Sequence, residues 1–130
     1  MSLTILNFAH PLTPEQQTTL EALADQTIDD IIQVKVQFDT QQPFLEQAHS
    51  LLEEVPLTAE DWQGKDIIIN LPSLNHIAAL LLALLHGKMG HFPTTLRLAP
   101  VAGATPPKFE VKELLNLQDV RDKGRQSRQL

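Results

Sequence analysis

The sequence predicts an α/β protein built on an open, mostly parallel sheet. Short apolar runs typical of strands alternate along the chain with longer segments whose apolar residues recur at helical spacing. Residues 66–71 contain three consecutive isoleucines, which is typical of a central strand buried on both faces. Ligands of such sheets bind beyond the carboxyl ends of the strands, so the loops that follow the strands are the first candidates for function.

The first strand and helix have clear local signals. Residues 3–8 are apolar and precede a His-Pro pair, so they are predicted to form a strand. The next residues suit the N-cap, the first helical position and the capping-box position of a helix, and they are Thr13, Pro14 and Gln16. We expect this helix to place Leu20 and Leu23 on its inner face and to end near residue 25.

The next segments predict a second strand and a second helix. Residues 31–38 form the strand, and the alternation over residues 34–38 indicates the edge of a sheet. Residues 42–55 carry apolar side chains at helical spacing. Residues 56–65, which include Trp62, are predicted to be a loop or short turn before the central strand.

A third helix follows the central strand and is apolar almost all round over residues 77–85. Such a helix must be buried on more than its sheet-facing side. In a chain this small we expect a second subunit to cover it, in a homodimer or a higher homo-oligomer. The alternative is burial inside one monomer, under residues 56–65 and the C-terminal tail. Gly87 and Gly90 are predicted to end the helix.

The remaining segments complete one domain. Residues 94–98 and 108–112 are predicted to be the fourth and fifth strands, separated by a loop. We place one domain at residues 1–116. Residues 117–130 form a basic C-terminal tail, which is either a short helix or disordered.

The composition excludes several classes of protein. The chain has 130 residues, of which 42% are hydrophobic and 20% charged, as in a globular domain. It has no cysteine, so neither disulfides nor thiol chemistry are available. No signal peptide and no apolar run of about 20 residues is visible, so we expect a cytoplasmic protein with no membrane partner.

The net charge of −6 argues against bulk binding to DNA or RNA, which requires a basic face. The charge is unevenly distributed: residues 1–107 carry 4 Lys or Arg against 12 Asp or Glu, and residues 108–130 carry 6 against 4. A small anionic ligand can still be held locally by a few donors.

The first candidate site spans residues 7–13, between the first strand and the first helix. Asn7 and His10 can contact a base edge or a phosphate, and amide groups at a helix N-terminus attract anions. The plainer alternative is that Thr13 only caps the helix and His10 is a surface histidine. The chain contains neither G-x-G-x-x-G nor G-K-[ST], which argues against a dinucleotide site of the usual kind and against a P-loop.

The second candidate site, residues 73–76, follows the central strand. Ser73 can cap the third helix, and Asn75 and His76 then lie in its first turn. The alternative is plain helix capping with a histidine facing solvent. Because both loops follow strands of one parallel sheet, we expect them to converge at the same edge, which favours a ligand site.

Other polar residues carry weaker signals. His86 and His91 are five residues apart and separated by glycines, so they do not form a helical metal pair, and we expect neither a metal nor another cofactor. Arg97 on the fourth strand can pair with a phosphate or with a carboxylate, and Gly103 offers a backbone donor beyond that strand. No catalytic triad is recognisable.

Three segments resemble the small Csx-type accessory proteins of type III CRISPR systems: LNFAHPLT at residues 6–13, LLHGKMGHFP at residues 84–93 and LRL at residues 96–98. The resemblance covers nearly the whole chain up to Val101. It implies a Rossmann-like, CARF-like three-layer sandwich that binds cyclic oligoadenylates, the second messengers of type III antiviral signalling. It also implies a symmetric dimer that holds the ring across its two-fold axis. Some of these proteins cleave the ring and others only bind it.

Carried onto this chain, the resemblance implies ligand contacts at Asn7, Phe8, Ala9, His10, Thr13, Ser73, Leu74, Asn75, His76, Arg97 and Gly103. His10 and His76 become the candidate catalytic residues if the ring is cleaved. Cleavage by the 2′-hydroxyl of the ligand requires no metal and leaves a 2′,3′-cyclic phosphate.

Because each loop holds a single histidine, we expect binding rather than catalysis. The expected function is binding of cyclic tetra-adenylate, which lowers the free messenger by sequestration or by slow cleavage. The alternatives are a metal-independent ring nuclease and a non-catalytic oligomeric protein-interaction domain.

Overall fold

The computed structural model describes residues 2–128, and its centre is a five-stranded sheet. The strands are β1 (Ser2–Asn7), β2 (Thr27–Gln33), β3 (Ile67–Asn70), β4 (Thr94–Pro100) and β5 (Phe109–Asn116). Their order is β2-β1-β3-β4-β5. The first four are parallel, and β5 is antiparallel to β4. The predicted α/β class with a mostly parallel sheet is confirmed.

The helices flank the sheet, and they are α1 (Pro14–Ala24), α2 (Phe44–Glu53), α3 (Ala59–Gly64), α4 (Asn75–Met89) and α5 (Leu117–Gln126). Two buried apolar clusters separate the layers. Side chains of α2, α3 and α4 form one cluster with Leu6 and Ile69, while α1 contributes to the other with Ile5 and Ile68. The strands of the sheet centre are therefore covered on both faces.

The isoleucine run of β3 is buried on both faces, as predicted. Ile67 and Ile69 belong to the cluster of α2, α3 and α4, and Ile68 belongs to the α1 cluster. All three are at most 6% exposed. At about 25 cal/mol per Å² of buried apolar surface, such residues supply much of the free energy that holds the layers together.

The start of α1 agrees with its prediction. Thr13 Oγ1 accepts a hydrogen bond from Gln16 N at 3.1 Å, and Gln16 Oε1 accepts one from Thr13 N at 2.9 Å. The prediction for Leu23 is wrong, because this side chain is 47% exposed. The contact stripe of α1 instead runs from Leu20 to Ala24, one helical turn apart, and Leu23 points away from it.

The second strand begins and ends earlier than predicted. Residues 34–38 lie beyond β2 in extended chain, and apart from the bond from Val34 N to Asn7 O they are not paired in the sheet. Their alternating apolar side chains pack partly against the cluster of α2, α3 and α4. The two-residue period therefore reflects packing against helices. β2 does lie at the sheet edge, as predicted.

Residues 56–65 contain α3 in place of a plain loop. Thr58 Oγ1 accepts from Asp61 N at 3.1 Å, and Asp61 Oδ2 accepts from Thr58 N at 3.0 Å, which forms a capping box. This short helix inserts Trp62 into the core, where the side chain is 4% exposed. The sequence carries this signal in the T-x-x-D spacing of Thr58 and Asp61.

The ends of α4 differ from their predictions. The helix continues through Gly87 and ends at Gly90, which adopts a left-handed φ of 83°. Ser73 is not the N-cap. Leu74 occupies that position, and no side chain caps the first turn.

One stripe of α4 is buried within this chain, through Ile77, Leu81, Leu85 and Met89. Ala79 and Ala83 on the other side are exposed, and Leu80 and Leu84 are only partly buried. The chain therefore covers α4 on one side and leaves an apolar face outside. Within residues 2–128, no helix combines the length and apolar content that crossing a membrane would require.

Most of the predicted C-terminal tail is helical, because α5 covers residues 117–126. β5 is longer than the predicted residues 108–112 and leads directly into α5. Asn116 Oδ1 caps α5 by accepting from Asp119 N at 3.1 Å. Because β5 runs against the other strands, α5 begins at the amino edge of the parallel strands. Residues 129 and 130 of the predicted tail lie outside the described part of the chain.

Candidate functional site

The two central strands form a topological switch point. The connection that leaves β1 passes through α1 on one face of the sheet and leads to β2. The connection that leaves β3 passes through α4 on the other face and leads to β4. Between β1 and β3 the chain therefore departs in opposite directions and leaves a crevice at the carboxyl edge. Crevices of this kind bind ligands in open α/β sheets.

A pair of asparagines occupies the bottom of this crevice. Asn7 and Asn70 are register partners at the ends of β1 and β3, and Asn70 Nδ2 donates to Asn7 Oδ1 at 3.0 Å. Asn7 Oδ1 also accepts from Ala9 N at 2.9 Å, and Asn7 Nδ2 donates to His10 O at 2.9 Å. Asn7 is fully buried. Its side chain holds the loop after β1 in shape, and this loop carries the exposed His10.

A groove of about 960 Å³ extends from the switch point across the ends of β4 and β5. The first turns of α1 form one wall, and residues of β4, β5 and the loop between them form the other. Five of the predicted contact residues line it: Ala9, His10, Thr13, Ser73 and Arg97. The predicted convergence of the two loops at one edge is therefore present in the structure.

The other predicted contact residues, among them the fully buried Asn7, lie outside this groove lining. Phe8 is buried in the core with α2 and α4. Leu74, Asn75 and His76 are exposed at the start of α4, where Asn75 Oδ1 accepts from His76 N at 2.9 Å. Gly103 lies in the loop between β4 and β5 with a φ of 73°. His10 and His76 thus do not line the same groove.

The charges of the groove are mixed. Arg97 and Lys108 line it together with Glu15 and Glu110. Arg97 forms an ion pair with its register partner Glu113, and both side chains are nearly half exposed. Such a lining suits a ligand that carries both anionic groups and hydrogen-bond donors, because each kind of group finds a complementary partner.

Gln16 joins the two walls of the groove. Its Oε1 accepts from Thr13 N in the capping box, and its Nε2 donates to Phe109 O at 2.9 Å. Sequence reasoning identified the capping role and missed the bond to β5. The partner lies 93 residues further along the chain and reaches α1 only because β5 runs antiparallel.

Within residues 2–128, no three His, Asp or Glu side chains come together as a metal site would require. The groove lining therefore offers hydrogen-bond donors, acceptors and single charges. No family model, curated protein or solved structure matches this chain.

Proposed function

We propose that this protein binds a cyclic oligoadenylate, with cyclic tetra-adenylate as the expected ring, and sequesters this messenger of type III CRISPR antiviral signalling. The observation that carries the proposal is the groove over the β1/β3 switch point, which combines residues from the loops after both strands. The resemblance of residues 6–13 and 84–98 to the Csx-type accessory proteins supports the ligand class. The α/β architecture is compatible with the Rossmann-like fold of those proteins.

The size of the groove supports a ligand larger than a single nucleotide. Its volume of about 960 Å³ is at the upper end of the roughly 300–1,000 Å³ typical of small-molecule pockets. We propose that two copies of the chain associate through the outer apolar face of α4, which carries Ala79 and Ala83. Because α4 and the α1 wall of the groove lie on opposite faces of the sheet, each copy then holds a ring in its own groove, in place of one ring across the two-fold axis.

The positions of the histidines favour binding over cleavage. Ring cleavage by a 2′-hydroxyl is accelerated by a general base and a general acid that reach the same phosphate. His10 lines the groove, whereas His76 is exposed at the start of α4, outside the groove lining. The groove thus offers one histidine for proton transfer. Stoichiometric sequestration requires only affinity.

Titration of the full chain with radiolabelled cyclic tetra-adenylate tests this proposal. The expected result is a gel shift that saturates at a fixed stoichiometry, with no linear product on chromatography. Linear tetra-adenylate and cyclic di-adenylate serve as ligand controls. The absence of a shift at micromolar protein overturns the proposal, and together with monomeric light scattering it favours the interaction-domain alternative.

Product analysis in the same experiment separates binding from the ring-nuclease alternative. Accumulation of linear oligoadenylate with a 2′,3′-cyclic phosphate supports that alternative. Replacement His10→Ala then abolishes turnover, while His76→Ala leaves the rate unchanged because His76 lies outside the groove lining.

Two arginines provide a matched pair of variants. Arg97 and Arg121 both form ion pairs, and their side chains are 48% and 42% exposed. Only Arg97 lines the groove; Arg121 is on α5 at the opposite edge. Charge-assisted hydrogen bonds contribute about 1.5–3 kcal/mol, so Arg97→Ala is expected to weaken binding roughly 10- to 150-fold. Arg121→Ala should bind like the wild type, and equal affinities of the two variants contradict the role of Arg97.

A further inference from the structure

Phe109 is an exposed aromatic residue on the rim of the groove. Its side chain is 54% exposed, at the first position of β5. Among the exposed large apolar residues of the described chain, Phe109 is the one that lines the groove. Leu23, Leu45, Leu74 and Val120 lie elsewhere. A large apolar ring beside a polar groove is a favourable surface for a flat, partly apolar ligand group.

The backbone of Phe109 is fixed on two sides. It pairs with Pro100 at the start of the antiparallel ladder, and its carbonyl accepts the hydrogen bond from Gln16 Nε2 at 2.9 Å. The ring is therefore attached to a rigid support and needs little ordering when a ligand arrives. Such preorganisation lowers the entropic cost of binding.

A lysine lines the groove as well as this phenylalanine. Lys108 precedes Phe109 and also lines the groove. Within residues 2–128, Lys108 has no carboxylate at ion-pair distance. The groove lining thus offers an aromatic ring and an ammonium group, which complement the two parts of a nucleotide, its base and its phosphate.

We infer that Phe109 is the base-stacking platform of the groove, on which one nucleobase of the ligand lies. This inference rests on the proposed function, and it names a residue that determines affinity through the base and not through the phosphate. Stacking of a base on an aromatic side chain contributes about 1–3 kcal/mol. Removal of the ring should therefore cost about 5- to 150-fold in affinity.

The test compares Phe109→Ala and Phe109→Tyr with Val120→Ala as the control. Val120 is equally exposed, at 55%, but lies on α5 away from the groove. The probe is cyclic tetra-adenylate in which one adenine is replaced by 2-aminopurine, whose fluorescence is quenched by stacking. The wild type, Phe109→Tyr and Val120→Ala should bind with equal affinity and equal quenching. Phe109→Ala should lose both affinity and quenching, and its melting temperature should stay close to that of the wild type.

Unchanged affinity and quenching in Phe109→Ala overturn the inference and leave the proposed function intact. If the wild type binds no cyclic tetra-adenylate, the proposed function fails. The inference is then decided by titration with AMP and with ribose 5-phosphate. A preference for AMP that disappears in Phe109→Ala supports stacking, and equal or absent binding of the two probes overturns it.

Discussion

Replacement of Asn7 by Ala tests whether the asparagine pair at the switch point holds the first loop in shape. The substitution removes three hydrogen bonds, which join Asn7 to Ala9, His10 and Asn70. The carbonyl of exposed His10 can bond to water instead. Asn70 is 5% exposed, so loss of a partner for its buried amide costs about 1–3 kcal/mol. The Ala9 N–H adds about 0.5–1.5 kcal/mol, and we expect a total loss of roughly 1.5–4.5 kcal/mol.

Urea unfolding followed by the fluorescence of Trp62 measures this loss. Trp62 is the one tryptophan of the chain and is buried, so its emission reports on global unfolding. Asn75→Ala is the matched control because Asn75 is exposed and its side chain, among the described residues, bonds only to the adjacent His76 N. It should change stability by less than about 0.5 kcal/mol. A loss below about 1 kcal/mol in Asn7→Ala refutes the reasoning.

A second substitution, Asn7→Asp, tests the same hydrogen bonds through the pH dependence of stability. The introduced carboxyl keeps the shape of the side chain, but when ionised it cannot donate to the His10 carbonyl. Burial and the facing His10 carbonyl are expected to raise its folded-state pKa above the ordinary value of about 3.9, against the opposite effect of the donors from Ala9 and Asn70. The native variant therefore binds more protons than the unfolded chain, and its stability relative to wild type should rise as the pH falls from 7 toward that raised pKa. Asn7→Ala should show no such rise, and parallel pH profiles contradict the assignment.

Three further predictions address other parts of the fold. The hydrogen bond from the Thr58 backbone N–H lowers the pKa of the Asp61 carboxyl from 3.8, so the stabilisation it provides is lost as the pH falls through the lowered value. Asp61→Asn should therefore reduce the acid sensitivity of thermal unfolding, and an unchanged profile argues against this. Leu85→Ala should cost about 2–5 kcal/mol in urea unfolding because Leu85 is fully buried, whereas Leu23→Ala should cost much less. Ala83→Arg should convert a wild-type dimer into a monomer in light scattering while its circular dichroism stays that of the native protein, and a persistent dimer excludes the outer face of α4 as the contact.

Local chemistry made the strand–helix alternation predictable. The capping box at Thr13 and the isoleucines of β3 specify their structure through neighbouring residues alone. The bounds of β2 were less predictable because apolar residues alternate over residues 34–38 by packing on helices, beyond the last paired strand residue. A two-residue period does not distinguish these two kinds of burial.

The candidate site was predictable in its location and less so in its parts. The loop after β1 and Ser73 meet in one groove because parallel strands bring their carboxyl ends to one edge. The internal role of Asn7 depends on its partner at position 70, which only the register of β1 and β3 reveals. Phe109 lies at the groove because β5 pairs antiparallel with β4. No local pattern in the sequence predicts that pairing.

The side-chain amide of Gln16 ties the first turn of α1 to the start of β5, two segments separated by 93 residues. Opening of one segment removes a hydrogen bond from the other, so their backbone amides should exchange with solvent deuterium as one cooperative unit. A ligand that occupies the groove then slows exchange in both segments together. Amide exchange at Gln16 thus reports on occupancy of the groove without a label on the ligand or on the protein.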